Sequence, residues 1–249
     1  MPDMYHARTG HVLPLENSHV HAELIRTEQH AVKNEMLINY KKTKVMLFNP
    51  CTSIDFMPSL ELGGHELEVV EEMRLLGLTI RSDLKWNSNT DNMVLKAYKR
   101  VWIIRRLKNL GAEDRDLVDI YYKQIRSVLE LAVPVWHGGI TQAEHHDIER
   151  VQRSVCHIIL GSEYVSYKNA MQKLSLQSLY ERRDKLCLKF AKKCEKHAKH
   201  TKWFKLSGNN INTRGEKTKY CDVRAQHSRF KNSPLGFLTN LLNEHYSKK

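Results

Sequence analysis

Four cations fall within a narrow arc of one helical stretch: Lys96, Lys99, Arg100 and Arg106, with Ile103 among them. Opposite them run Val94, Ala97, Tyr98, Val101, Trp102 and Ile104, an apolar side at helical spacing. Like charges on one face repel, and an anionic ligand would relieve them. A solvated face is the alternative. A second set, Arg150 and Arg153 with His146 and His157, shares one face of another helical stretch and is a second candidate anion surface. A third set, Lys41, Lys42 and Lys44, stands at the mouth of the apolar run Val45-Met46-Leu47-Phe48. There the lysines either hold phosphates or form a solvated turn.

Metal-ligand patterns fare less well. His145-His146-Asp147 matches the H-x-D spacing of iron oxygenases, with His197 or His200 as a third ligand. That pattern needs a strand, where residues two apart share a face. Thr141-Gln142-Ala143-Glu144 is a capping box that opens a helix here, and in a helix residues two apart point roughly 200° apart. Cys194, His197 and His200 lie three apart and could join Cys221 around zinc, but the second half lacks a paired ligand. His19 and His21 have no carboxylate or cysteine to complete a set. There is no Gly-rich phosphate loop and no G-x-S-x-G. Cys156 sits in an apolar helical context that suits packing, and Glu71-Glu72 and Glu113-Asp114 read as exposed or helix-start acids. No catalytic residue, metal ligand or cofactor is assigned on this ground.

The elements that must position these residues follow from periodicity. Leu117 to Trp136 carries a broad apolar stripe (Leu117, Tyr121, Ile125, Val128, Ala132) and predicts a central core helix ended by Pro134. A tight buried turn through His137-Gly138-Gly139 follows. The cationic helix is capped by Asn89 or Thr90 and stops at Gly111. The helix opened by Thr141 runs to Leu160 and stops at Gly161. Ser178-Leu179-Tyr180-Glu181 is another capping box, opening a helix with Leu179, Leu186, Phe190, Ala191 and Cys194 inward and six lysines outward. Residues 1–30 read as a loose polar lead-in, and Ala31 to Asn39 as one or two helical turns. Val45 to Phe48, ended by Asn49-Pro50, and two strands within Ser59 to Leu84 predict a small antiparallel sheet of about three strands. Gly63-Gly64 marks a turn, and Gly77 a bulge or close backbone approach. Residues 201–249 read as a basic linker and a short last helix begun by Ser233-Pro234.

The chain is therefore expected to be mainly α: a helical bundle (residues 87–200) preceded by a small α+β region (residues 31–86). Lys and Arg number 40 against 28 Asp and Glu, a formal net charge of +12, which favours nucleic acid first and membrane surfaces second. An apolar fraction of 41% supports a core, and no run is long enough to span a membrane. Neither a signal peptide nor a disulfide framework is legible. The five scattered cysteines suit reduced thiols, and the cytoplasm or nucleus.

Several segments, in order, resemble the reverse transcriptases of non-LTR (LINE-like) retrotransposons. N-Y-K-K-T-K-V-M-L-F at Asn39 to Phe48 and R-L-L-G-L-T-I-R-S-D-L-K-W at Arg74 to Trp86 are similar to the end of their palm. R-S-V-L-E-L-A-V-P-V-W at Arg126 to Trp136, V-Q-R-S-V-C-H-I-I-L-G at Val151 to Gly161 and L-Y-E-R-R at Leu179 to Arg183 resemble the thumb and the region after it. The resemblance covers about Ala31 to His200. It implies that Lys44 or Lys42 matches the lysine near the incoming nucleotide, and that Leu75-Leu76-Gly77 matches the primer-grip hairpin. It further implies that Lys96, Lys99 and Arg100 hold the phosphates of an RNA or DNA template–primer duplex without reading sequence. The family's two magnesium ions need aspartates, one pair of them upstream of the lysine motif. Met1 to Val32 holds only Asp3, so the chain as it stands is expected not to polymerise, and magnesium is expected only in a complete parent enzyme. A helical protein-interaction module, using the last helix or the thumb-like face, is the alternative from another class. The lysine segment is also similar to a short segment of AlkB-like tRNA-modifying proteins. The failed iron triad and the missing methyl-donor loop argue against dioxygenase or methyltransferase chemistry.

Overall fold

The computed structural model describes residues 19–48, 59–207, 219–221, 223 and 228–247. Asn49-Pro50, Cys51, the lead-in before His19 and most of the basic linker lie outside the described residues. The chain divides into two compact units, Met1–Met73 with Arg81–Leu84, and Arg74–Ile80 with Lys85–Lys249.

The first described element of the first unit is a helix, α1 (His19–Lys33), over part of the stretch expected as a loose lead-in. Its inward positions are sparse (His21, Leu24, Glu28, Ala31), and a glutamate in the stripe hides the period from a hydrophobicity reading. Tyr40–Lys42 forms a single 3₁₀ turn, capped by Asn39. The apolar run Val45 to Phe48 pairs only through β1 (Lys44–Val45), and its partner β4 (Glu68–Val69) runs parallel to it. β2 (Glu61–Leu62) and β3 (His65–Glu66) form an antiparallel hairpin across Gly63-Gly64, both at positive φ as a two-residue turn requires. The expected three-strand sheet is thus replaced by separate two-stranded pairs, one of them parallel. Strands of two residues leave most of their backbone to turns, which is why a period of two is hard to read there.

The third pair is β5 (Glu72–Leu75) with β6 (Leu78–Arg81). The run read as one strand with a bulge at Gly77 is a hairpin. Leu76 (φ 48°) and Gly77 (φ 89°) make its turn, and Leu76 stands 92% exposed at the tip. The close approach at Gly77 is present: a Cβ there would sit 3.0 Å from Leu131 Cδ2.

The second unit is helical and holds one continuous apolar core. α2 (Asn87–Asn109) buries Met93, Ala97, Val101 and Ile104 against α6 (Gln142–Leu160), which buries Ile148, Val151, Val155, Cys156 and Ile159. Neither Asn89 nor Thr90 caps α2. The helix begins earlier, and Asn89 Oδ1 accepts from Thr79 N of β6 at 3.1 Å instead. Gly111, at φ +84°, ends α2 as its glycine predicts. The capping box at Thr141 and Glu144 is complete, and Gly161 closes α6.

The central helix expected over Leu117 to Trp136 is broken into pieces: α3 (Asp114–Ile120), a π-helical segment (Tyr121–Arg126), α4 (Ser127–Leu129) and α5 (Val133–Trp136). Pro134 does not end a helix; it starts α5, where its missing N–H costs nothing. The break comes earlier, at Ala132 in the left-handed region (φ 49°), and the indole of Trp136 satisfies the freed Leu131 carbonyl at 2.8 Å. The core assignment holds nonetheless. Leu117, Tyr121, Ile125, Leu129, Val133 and Trp136 are all buried.

α7 (Tyr167–Lys173) leads to α8 (Leu179–Lys196), capped by Ser178. Its buried face is Leu179, Arg183, Cys187, Ala191 and Cys194, rotated from the expected one; Phe190 is exposed. After α9 (Ser228–Lys231), the last helix α10 (Pro234–Ser247) packs on α8 and buries Leu238 and Leu242. Its apolar face is therefore used within its own unit, so the helix docks on the body, one of the two roles its sequence allows. No helix among the described residues is long and apolar enough to cross a membrane.

Candidate nucleic-acid interface

The hairpin tip and α2 enclose a groove of about 230 Å³ with α4 at its end. Its wall carries three cations: Arg74 from β5, and Lys96 and Arg100 from α2. Thr79, Asn89, Asn92 and Ser127 add neutral polar groups, while Gly77, Leu78, Met93, Val128 and Leu131 form the apolar floor. Among the described residues no carboxylate lines it. Arg74 and Lys96 have no ionic partner among the described residues. Arg100 is held in place by its Nη1, which donates to the Gln124 carbonyl at 2.6 Å. That carbonyl belongs to the π-helical segment, where the wider turn redirects backbone groups.

The asparagines tie the hairpin to α2. Besides the Thr79–Asn89 bond, Asn92 Nδ2 donates to Thr79 Oγ1 at 3.2 Å. Asn89 Nδ2 is buried without a hydrogen-bond partner among the described residues. Arg74, Asn89 and Asn92 escaped the sequence reading. A lone arginine on a short strand has no periodic signature, and an asparagine at a helix start reads as a cap.

The sequence-predicted cations separate. Lys96 and Arg100 meet in the groove, whereas Lys99 and Arg106 stand exposed on the outer ridge of α2. Arg150 pairs with Asp147 at 3.2 Å, and Arg153 lies over the Tyr167 ring at 5.2 Å, so neither joins the groove. Lys41, Lys42 and Lys44 belong to the first unit. Lys41 and Lys42 are exposed, and Lys44 is paired with Glu68 across β1 and β4. The Cys194–His197–His200 set does not form, because α8 ends at Lys196 and Cys194 is buried. The His197 and His200 rings instead lie 4.8 Å apart and tilted by 31°, and among the described residues no group of three or more His, Cys, Asp and Glu suits a metal ion.

A polar network joins the end of α4, the turn after α5, α6 and α8. Glu130 takes both Nε and Nη2 of Arg182, the latter at 3.2 Å, and lies 3.7 Å from Arg126. Arg183 is fully buried on α8. Its Nε donates to His137 Nδ1 at 3.2 Å and its Nη2 reaches His145 Nδ1 at 3.1 Å. His137 must therefore carry its proton on Nε2, which donates to Asp184 Oδ1 at 2.9 Å. Both imidazoles are held neutral. Burial, then the Arg183 charge, lowers His145 to about 4, and burial is the main cause that lowers His137. Burial likewise pushes the Cys156 and Cys187 thiols up to about 12, which suits inert packing.

No family model, curated protein or solved structure matches this chain.

Proposed function

We propose that this chain grips the phosphate backbone of a nucleic-acid duplex, as a non-catalytic segment of a non-LTR-type reverse transcriptase. One observation carries the reading. Arg74, Lys96 and Arg100 converge from two elements on one groove that holds no acid. Three unneutralised cations around neutral donors suit phosphate oxygens, which position a ligand without reporting its sequence. The net charge of +12 adds the long-range attraction. The resemblance supplies the context, since the groove is built from the two segments it compares with a primer grip and a thumb. The reading assigns no catalytic step, cofactor or metal to this chain.

The test is a fluorescence-anisotropy titration with a labelled 16-base-pair duplex. Arg74→Glu with Lys96→Glu should weaken binding at least tenfold. The matched reversal Lys185→Glu with Lys189→Glu, on the outer side of α8, should weaken it far less. Equal losses from the two pairs would reduce the effect to net charge and overturn the groove as the site.

A further inference from the structure

α2 has a second groove on the other flank of its buried stripe. It lies between α2 and α6 and is lined by Tyr98, Val101, Trp102, Arg105, Ser154, His157 and Ile158. At roughly 100° per residue, Tyr98, Trp102 and Arg105 lie across α2 from Lys96 and Arg100. Trp102 is 61% exposed although the core lies one residue away at Val101. Tyr98, Arg105 and His157 line the same groove, so the exposed indole is one wall of an open aromatic and cationic site rather than an isolated surface residue. Arg105 beside it is exposed and has no ionic partner among the described residues. His157 closes the opposite wall and lies 4.9 Å from the Tyr164 ring, extending the aromatic surface. Asp147, two helical turns back from Ser154 on α6, is engaged by Arg150 at 3.2 Å. Between the two grooves the outer ridge of α2 carries Lys99 and Arg106, both exposed. Lys99 and Arg106 thus lie between the first groove and Trp102, with Ile103 and the exposed Leu95 among them.

We infer that the Trp102 groove is a stacking site for an unpaired nucleobase of a single strand, with Arg105 on its phosphate and the Lys99–Arg106 ridge as the path that leads there. The chemistry fits one occupant best. An exposed indole with a neighbouring guanidinium and no acid on the groove wall suits a π-face attached to a phosphate. A protein segment docking on an apolar face would have no use for the uncompensated cations. The inference rests on the same class of ligand as the proposed function but on different residues, so the two can fail separately.

The experiment titrates the full chain with labelled twelve-nucleotide oligouridine and oligothymidine, and with the 16-base-pair duplex. Trp102→Ala should weaken single-strand binding about tenfold and leave duplex binding unchanged, the loss that removing one stacked aromatic brings. Trp102→Phe should keep most of the affinity, since it keeps a ring, while losing the tryptophan fluorescence quenching that stacking produces. Trp102→Leu, which preserves apolar packing without a ring, should behave as Trp102→Ala and guards against a folding artefact. The two oligonucleotides separate RNA from DNA as the source of the strand. Wild-type affinity for single strands in both Trp102→Ala and Trp102→Leu would overturn the inference. So would duplex binding by a wild type that binds no single strand. Single-strand binding through Trp102 without any duplex binding would instead overturn the proposed function and leave the stacking site standing.

Discussion

Acid should loosen the helical unit through His145. Its imidazole accepts from the buried Arg183 and titrates at about 4, against 6.5 for an exposed histidine. Because the folded value lies below the unfolded one, the unfolded chain binds the proton more readily between those limits. The stabilisation is therefore complete above pH 6.5 and drains away as pH falls toward 4. A displacement of this size corresponds to roughly 3 kcal/mol for a fully buried ring. His145 keeps partial contact with solvent, which reduces the expected effect to about 2 kcal/mol. His145→Gln retains an acceptor for Arg183 but cannot titrate. Urea unfolding of both proteins at steps from pH 7.5 down to pH 4.5 should show the wild type losing about 2 kcal/mol more than the variant over that range. Parallel stability curves for the two proteins would refute the assignment of the charge-sensitive node to His145 and Arg183.

Three further outcomes follow from the same geometry. Glu130→Ala strands Arg182 and Arg126 without their shared carboxylate and should cost about 2–3 kcal/mol in urea unfolding, less than a fully buried pair because Arg182 is partly exposed. Gly77→Val forces a branched side chain into positive φ against Leu131, and should destabilise by at least about 1–2 kcal/mol while also weakening duplex binding, since it deforms the groove floor. Glu195 is opposed by burial but held down to about 2 by Lys219, Tyr220 and Tyr246. The contribution of that carboxylate is present above 4.5 and lost as pH falls toward 2, and Glu195→Gln should expose residues near Lys219 to faster limited trypsin cleavage at neutral pH.

The sequence was most informative where one residue type has one local use. Gly111 and Gly161 end helices, Gly63-Gly64 turns a hairpin, and Thr141 with Glu144 caps α6. It misled where tertiary contacts override the local pattern. The stripe from Leu117 to Ala132 is compatible with one straight helix, yet the chain inserts a π-turn and a left-handed residue so that Trp136 and His137 can enter the core. Buried Arg183 was missed because apolar patterning assigns cations to the surface. The clue lay in the spacing, since Leu179, Cys187 and Ala191 leave a gap four residues from its neighbours that only position 183 fills. Of the candidate site, the α2 cations were legible from helical spacing. The contribution of Arg74 was not, because it depends on a hairpin whose strands are four residues long and whose turn falls inside an apolar run.

The salt dependence of duplex binding tests the phosphate groove most directly. If the three groove cations meet phosphates, log Kobs plotted against log salt should fall with a slope of about −3. Arg74→Gln with Lys96→Gln should make the slope shallower by about 2, one for each lost contact. A slope near zero in the wild type, or an unchanged slope in the variant, would contradict the account.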